Sequence, residues 1–185
     1  IGSMVVHART AGPEIAAHVP VLAEAARRIA GPAVRNLATI GGNVIIDWDL
    51  AAPLLAQDAV VEVATLEGQR EIALRDFRSA DNEPLLAHEE IVTGIVVDPG
   101  LDAVGYSRVA RRKAVSRGIA SSVVTWRREA GRAHDVRISV GSTNFRARRV
   151  PEAEALLEGQ RPTPELIDAA ADAVLASVTD AFESI

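Results

Sequence analysis

The chain has 185 residues, 48% of them apolar and 24% charged, and carries a net charge of −5. That is long enough for one larger core or two small ones, and too apolar for intrinsic disorder. The lack of cysteine excludes disulfides, cysteine-ligated zinc, iron–sulfur clusters and thiol nucleophiles within these residues, and no apolar run reaches the roughly 18 residues of a membrane span.

In chain order, "IGSMVVHART" opens as an apolar, strand-like run and reads as though it begins inside an element. "GPEIAAHVPVLAEAARRIAG" is helical, with Pro13 at a first position and Gly31 just past the end. Ile15, Val19, Leu22, Ala26 and Ile29 give the spacing of a buried face, and Pro20 divides the segment into two helices or one. "RNLATIGGNV" follows, and then the short apolar segment "DLAAPLLAQDA". "AVVEVATLEGQREIAL" alternates around Glu67-Gly68 and predicts a β-hairpin. A strand is expected near Ile91–Val97. The breaker Asp98-Pro99-Gly100 then divides the chain into domains at 1–99 and 100–185.

Beyond it, "GYSRVARR", "GIASSVVTWRRE" and "AHDVRISVGS" are strand candidates, the last two joined by a turn at Ala130-Gly131. "PEAEALLEG" and "PELIDAAADAVLASVTDAF" are helices, the second with Ile167, Ala171, Val174, Val178 and Phe182 on one face. The fold class is α+β: a sheet with helices, then a small three-stranded antiparallel sheet with helices. Charge is divided unevenly. Residues 105–149 hold twelve Arg or Lys against two acids, and residues 1–100 hold seven against fourteen. Such a block is either a solvated sheet face or a dock for an acidic partner. Nucleic acid is not expected, because aromatics make up only 3% of the chain and leave few stacking platforms.

The chemistry centres on "TIGGN", Thr39 to Asn43. Paired glycines let the main chain approach a ligand closely, and consecutive N–H groups form a nest for anionic oxygens. Thr39 adds a hydroxyl and Asn43 an amide. A tight turn is the competing account. Asp47 and Asp49 are spaced as paired carboxylates or as parts of a capped loop. The histidines at 7, 18, 88 and 134 lack metal-ligand spacing, and His7 reads as structural. Ser116, Ser121, Ser122 and Thr125 lack the His and acid of a triad.

Taken in order, "IGSMVVHA", "LAEAARRIAGPAVRNLATIGGNV", "DLAAPLLAQDAVVEV", "LRDF" and "EEIVTGIVV" resemble the FAD-binding medium subunit of molybdenum hydroxylases, the family of xanthine dehydrogenase and aerobic carbon monoxide dehydrogenase. "GYSRVARR", "GIASSVV", "VRISVGS" and "AEALLEG" resemble that family's small carboxy-terminal domain. The resemblance implies that residues 1–99 are the second half of an FAD-binding domain, built on a mixed sheet with helices. It also implies that Thr39, Ile40, Gly41, Gly42 and Asn43 form one of two loops holding the FAD pyrophosphate. Asp49 would lie near the ribose and Arg108 on a strand facing the flavin, with Ile91 and Ile95 on a strand passing close by. The family's first FAD subdomain, with the other glycine-rich loop, has no counterpart in this sequence, so the site is incomplete in this chain. Val44, Ile45, Ile46 and Trp48 are apolar or bulky where the family is commonly polar.

Three readings follow. The first is an FAD-dependent electron-transfer subunit or fragment of an oxidoreductase, partnered by iron–sulfur and molybdopterin subunits or by a second chain carrying the missing subdomain; no catalytic side chain is required. The second is a scaffold that has lost FAD and uses the vacated cleft, lined by "VIIDW", for a small-molecule substrate. The third is a non-catalytic assembly module. A cytoplasmic protein without membrane association is expected.

Overall fold

The computed structural model describes residues 1–99, 101, 103–112, 118–142 and 145–183. Gly100 of the expected boundary and Ser116 lie outside them, as does the side chain of Phe182.

Prolines set the rhythm of the first forty residues. The helices α1 (His7–Thr10), α2 (Pro13–Ala16), α3 (Pro20–Arg28) and α4 (Pro32–Arg35) follow one another, the last three opening on Pro. Proline is tolerated there because its missing N–H is one of a helix's unpaired donors anyway. Pro20 thus splits the predicted helix in two. The opening run is no regular strand. Gly2 bridges Gly94 and Val6 bridges Thr39 before α1 begins. Two short helices, α5 (Ile40–Ile45) and α6 (Ala51–Leu55), carry the chain into the first sheet.

That sheet contains β1 (Val60–Thr65), β2 (Gly68–Ala73) and β3 (Ile91–Val96) in the order β2-β1-β3, and both pairings are antiparallel. The mixed sheet implied by resemblance is therefore antiparallel in its described pairings. The hairpin turns at Leu66-Glu67, one residue earlier than expected, and pairs Thr65 with Gly68. The first residues lie against the free edge of β3: Ser3 N–H donates to the Thr93 carbonyl at 2.9 Å and Ile95 N–H to that of Ile1 at 2.8 Å.

The second sheet has four strands rather than three. They are β4 (Ala103–Ala110), β5 (Gly118–Glu129), β6 (Arg132–Ser142) and the two-residue β7 (Arg148–Arg149), antiparallel in the order β4-β5-β6-β7. Ala130 and Gly131, both at positive φ, make the predicted turn. Helices α7 (Pro151–Leu157) and α8 (Pro164–Glu183) close the chain.

Two apolar clusters hold these layers. The larger gathers Leu22, Ile40, Leu54, Val61, Phe77 and Ile95 and takes in Val123 from the second sheet and Ala147 from the residue just before β7. The smaller packs Val136, Ile138 and Val140 against Ala153, Leu157, Ala170 and Val178. The expected face of the last helix holds at Val174 and Val178 and differs nearer its start: Ile167 and Ala171 are exposed, and Ala170 is buried in their place. Ala170, Val174 and Val178 lie four residues apart, so the buried stripe keeps the helical spacing.

Much of the basic block is internally neutralised. Asp58, between α6 and β1, receives Arg149 at 2.6 Å and Arg137 at 3.2 Å, both from the second sheet. Arg137 also meets Asp135 at 2.6 Å, Arg149 meets Glu154 at 2.7 Å, and Arg127 reaches Asp98. These arginines of the sheet therefore join the two halves of the chain rather than face solvent alone.

Candidate functional site

The site is built where α1, α5 and the start of α6 meet β4. Thr39 caps α5, its Oγ1 accepting from Gly42 N–H at 3.2 Å. The other main-chain donors from Ile40 to Asn43 are also spent. Ile40 N–H goes to the Val5 carbonyl at 2.9 Å, Gly41 N–H to that of Ser3 at 2.8 Å, and Asn43 N–H to that of Thr39 at 3.1 Å. The expected nest of converging, open N–H groups does not exist, because the loop's donors pair with the chain's first residues and with its own cap.

The two glycines serve different ends. Gly41 is buried, and a Cβ there would meet Ser3 Cβ and Ser3 O, each at 2.8 Å. Only glycine allows so close a crossing of the opening segment. Gly42 is exposed, and a Cβ there would touch only Thr39 Oγ1, at 3.3 Å. Of the five residues, Ile40, Gly41 and Asn43 are buried; the exposed Gly42 and half-buried Thr39 form the outer surface of the loop. Met4 and Leu37, 79% and 81% exposed, flank that surface in the chain.

Asn43 ties the loop to the next predicted residue. Its Oδ1 accepts from Leu50 N–H at 2.9 Å, and its carbonyl accepts from Trp48 N–H at 3.2 Å. Asp49 is thereby held between two anchored neighbours. It caps no helix, since α6 starts from Leu50 without a side-chain cap. Its Oδ1 lies 3.6 Å from Arg108 Nε on β4, and both side chains are largely buried. Gly118 closes over the pair, where a Cβ would stand 2.9 Å from Arg108 Nε and 3.0 Å from Asp49 Oδ1. Arg108 therefore faces Asp49 first, from a nearly buried position. All seven sequence-derived site residues converge through these contacts.

Asp47 and Asp49 are not a carboxylate dyad. Asp47 accepts from Ala147 N–H at 3.1 Å, and burial pushes its carboxyl up despite that bond and the nearby Arg78 and Arg146 guanidiniums. Arg78 reaches the Val44 and Ile45 carbonyls and so covers the end of α5. The space enclosed by Asp47, Trp48, Asp49, Gly118 and Ser121 is about 20 Å³, room for a single water. A vacated cleft for another substrate is not found there, and Val44 belongs to the core. On β3, Ile95 is fully buried and Ile91 is exposed, so they share no face toward a ligand. Among the described residues, no group of three or more His, Asp or Glu could hold a metal, and no helix is long and apolar enough to cross a membrane.

Sequence reasoning set aside His7 as structural and did not see its contacts. The side chain is 2% exposed, and its Nε2 lies 3.4 Å from Asn43 Nδ2. Burial pushes the imidazole down, with Asp49 opposing. The available signal was its place in a polar gap of an otherwise apolar opening run.

Comparison with known proteins places this geometry. Residues 1–98 match the FAD binding domain in molybdopterin dehydrogenase, and residues 106–182 the CO dehydrogenase flavoprotein C-terminal domain. The chain is 36% identical to the nicotine 6-hydroxylase medium subunit of Paenarthrobacter nicotinovorans, over 93% of this chain and 62% of that protein. It is 30% identical to the carbon monoxide dehydrogenase medium chain of Hydrogenophaga pseudoflava, over 95% of this chain and 63% of that protein. A structure of carbon monoxide dehydrogenase from the same organism superposes with a TM-score of 0.87 at 31% identity, covering 95% of this chain and 63% of that one. The chain thus spans about three fifths of the length of these relatives.

Proposed function

Since the chain belongs to the FAD-binding domain family of molybdopterin dehydrogenases, we propose that it forms one wall of an FAD site in an electron-transfer subunit of a molybdenum-hydroxylase-type oxidoreductase. Iron–sulfur and molybdopterin subunits are its partners in this reading, and the relatives' names, medium subunit and medium chain, support it. Bound FAD would supply reversible electron storage, and the protein binding, orientation and electrostatics.

The residues present fit that group as a wall rather than a cage. Gly42 offers a side-chain-free exposed surface, and the Thr39 hydroxyl keeps its own O–H to donate to a diphosphate oxygen while accepting from Gly42. Ile40, Gly41 and Asn43 shape that surface from behind. Asp49 accepts from a ribose hydroxyl at the edge of the site, with Arg108 balancing its charge. Because the main-chain donors of residues 40–43 are spent, most charge-assisted bonds to the diphosphate must come from outside these residues.

The observation that carries the reading is the convergence of Thr39, Gly42, Asp49 and Arg108 through the Asn43–Leu50 hydrogen bond and the Asp49–Arg108 contact. The test is to purify the native protein with its associated chains and record its visible spectrum before and after adding FAD. Flavin absorbance that is lost in a Thr39→Ala, Asp49→Asn double variant supports the proposal. A colourless protein that takes up no FAD overturns it.

A further inference from the structure

His7 has a chemical state that the surrounding donors dictate. Leu50 N–H can only donate, and it points at Asn43 Oδ1. The amide is thereby oriented, and its Nδ2 must face His7 Nε2. Nδ2 is also only a donor, so Nε2 must be unprotonated and accept. The imidazole proton then sits on Nδ1, which is buried without a hydrogen-bond partner among the described residues. His7 also uses its main chain: its N–H donates to the Ala38 carbonyl at 2.9 Å, one residue before Thr39. One residue thus grips both ends of the loop, at Ala38 and at Asn43.

We propose that His7 is a positioning residue, a neutral Nδ1–H imidazole that keeps the Asn43 amide turned toward Leu50 and so holds the Asp49 corner beside the Thr39–Gly42 surface. Protonation at Nε2 sets two donors face to face. The contact then opens and leaves the amide free to turn, or the amide turns over and releases Leu50 N–H; Asp49 is then held firmly only on its Trp48 side. Asp49 is the charge that reaches the ring. On the elements packed against α1, Arg9 pairs with Glu14, Arg27 and Arg28 pair with Glu24, and Arg35 binds the Ile29 and Ala30 carbonyls. The buried ring protonates only below the ordinary histidine range, so the device is locked at neutral pH and released by acid.

This inference rests on the FAD reading for its consequence but not for its chemistry, and the experiment separates the two. In the intact native protein, long-range proton–nitrogen spectra at neutral pH are expected to show His7 with Nδ1 protonated and Nε2 accepting; the opposite tautomer or a doubly protonated ring overturns the proposal. FAD affinity is then followed from about pH 8 to about pH 4, through and below the ordinary histidine range. Wild type is expected to weaken about tenfold, the equivalent of one net hydrogen bond. His7→Gln, whose amide oxygen accepts from Asn43 without titrating, should hold affinity within about threefold and lose that pH dependence. His7→Leu should be weak at every pH by about the same tenfold. Should His7→Leu fail to fold, the comparison of wild type with His7→Gln decides alone. If His7→Gln keeps the wild-type pH dependence, the positioning role is refuted while the FAD reading stands. If no form binds FAD, the FAD reading falls, and the tautomer decides the inference.

Discussion

Replacing Gly41 and Gly42 by alanine, one at a time, should break two different things. At Gly41 the added Cβ would sit 2.8 Å from both Ser3 Cβ and Ser3 O, against roughly 3.5–4.0 Å for unstrained carbon contacts. The opening segment must retreat by about 1 Å. That retreat stretches the Gly41–Ser3 and Ile40–Val5 hydrogen bonds and the Ser3–Thr93 bond to β3 behind them. Overpacking costs about 1–3 kcal/mol, and the strained bonds add about 1 kcal/mol. The expected loss of about 2–4 kcal/mol lowers Tm by roughly 5–15 °C for a chain of this size. At Gly42 the new Cβ meets only Thr39 Oγ1, at 3.3 Å, and alanine is the better helix former by about 1 kcal/mol. Stability should therefore stay within about 1 kcal/mol of wild type. The methyl instead stands on the exposed face assigned to the diphosphate, so FAD affinity should fall about tenfold or more. Urea unfolding and FAD titration on the same preparations check both halves. An unchanged urea midpoint for Gly41→Ala would refute the close crossing, and full FAD affinity in Gly42→Ala would refute the placement of the cofactor.

Thr39→Ala removes the cap of α5 and should cost about 1 kcal/mol in urea unfolding, and Thr39→Ser should restore most of it. Asp58→Asn removes the charge shared by Arg137 and Arg149 while tolerating the positive φ at that position. A loss of about 1–3 kcal/mol is expected, diminishing little with added salt because Arg137 is buried. The Arg70 hydrogen bond holds Glu90 down to about 2, so its folded value lies below its unfolded one. The stability it confers is present above the ordinary carboxylate range and is lost as pH falls toward about 2. Acid titration of stability should be flatter in Glu90→Gln, and an identical acid limb would contradict the pairing.

The local signals in the sequence were read well where a single residue type enforces geometry. Pro13 and Pro20 mark helix starts, and the Ala130-Gly131 turn and the alternation around Glu67-Gly68 are present as strand connections. The residues of the candidate loop were legible, but their donors were not. Whether Gly41 N–H is free depends on Ser3, thirty-eight positions earlier, and no local pattern encodes that pairing. The basic block misled for the same reason, since Arg137 and Arg149 find Asp58 from across the chain. The shift at the start of the last helix's face, from Ala171 to Ala170, has a different cause. Its many alanines weaken the contrast between faces, so a one-residue shift in the stripe changes the apolar count little.

The short helix α6 has a consequence for how the two sheets can be recombined. Two carbonyls of this segment face the second sheet: Ser139 Oγ donates to that of Ala52 at 2.6 Å and Thr125 Oγ1 to that of Ala56, just past the helix, at 2.8 Å. Both hydroxyls are fully buried and come from strands β5 and β6. A chimera that grafts the second sheet of a relative onto the first half of this chain must therefore import a hydroxyl at each position. One carrying valine at 125 would strand the Ala56 carbonyl in the seam at about 1–3 kcal/mol, and one carrying alanine at 139 would leave the Ala52 carbonyl with the Ala56 N–H alone, however well the rest of the graft packed.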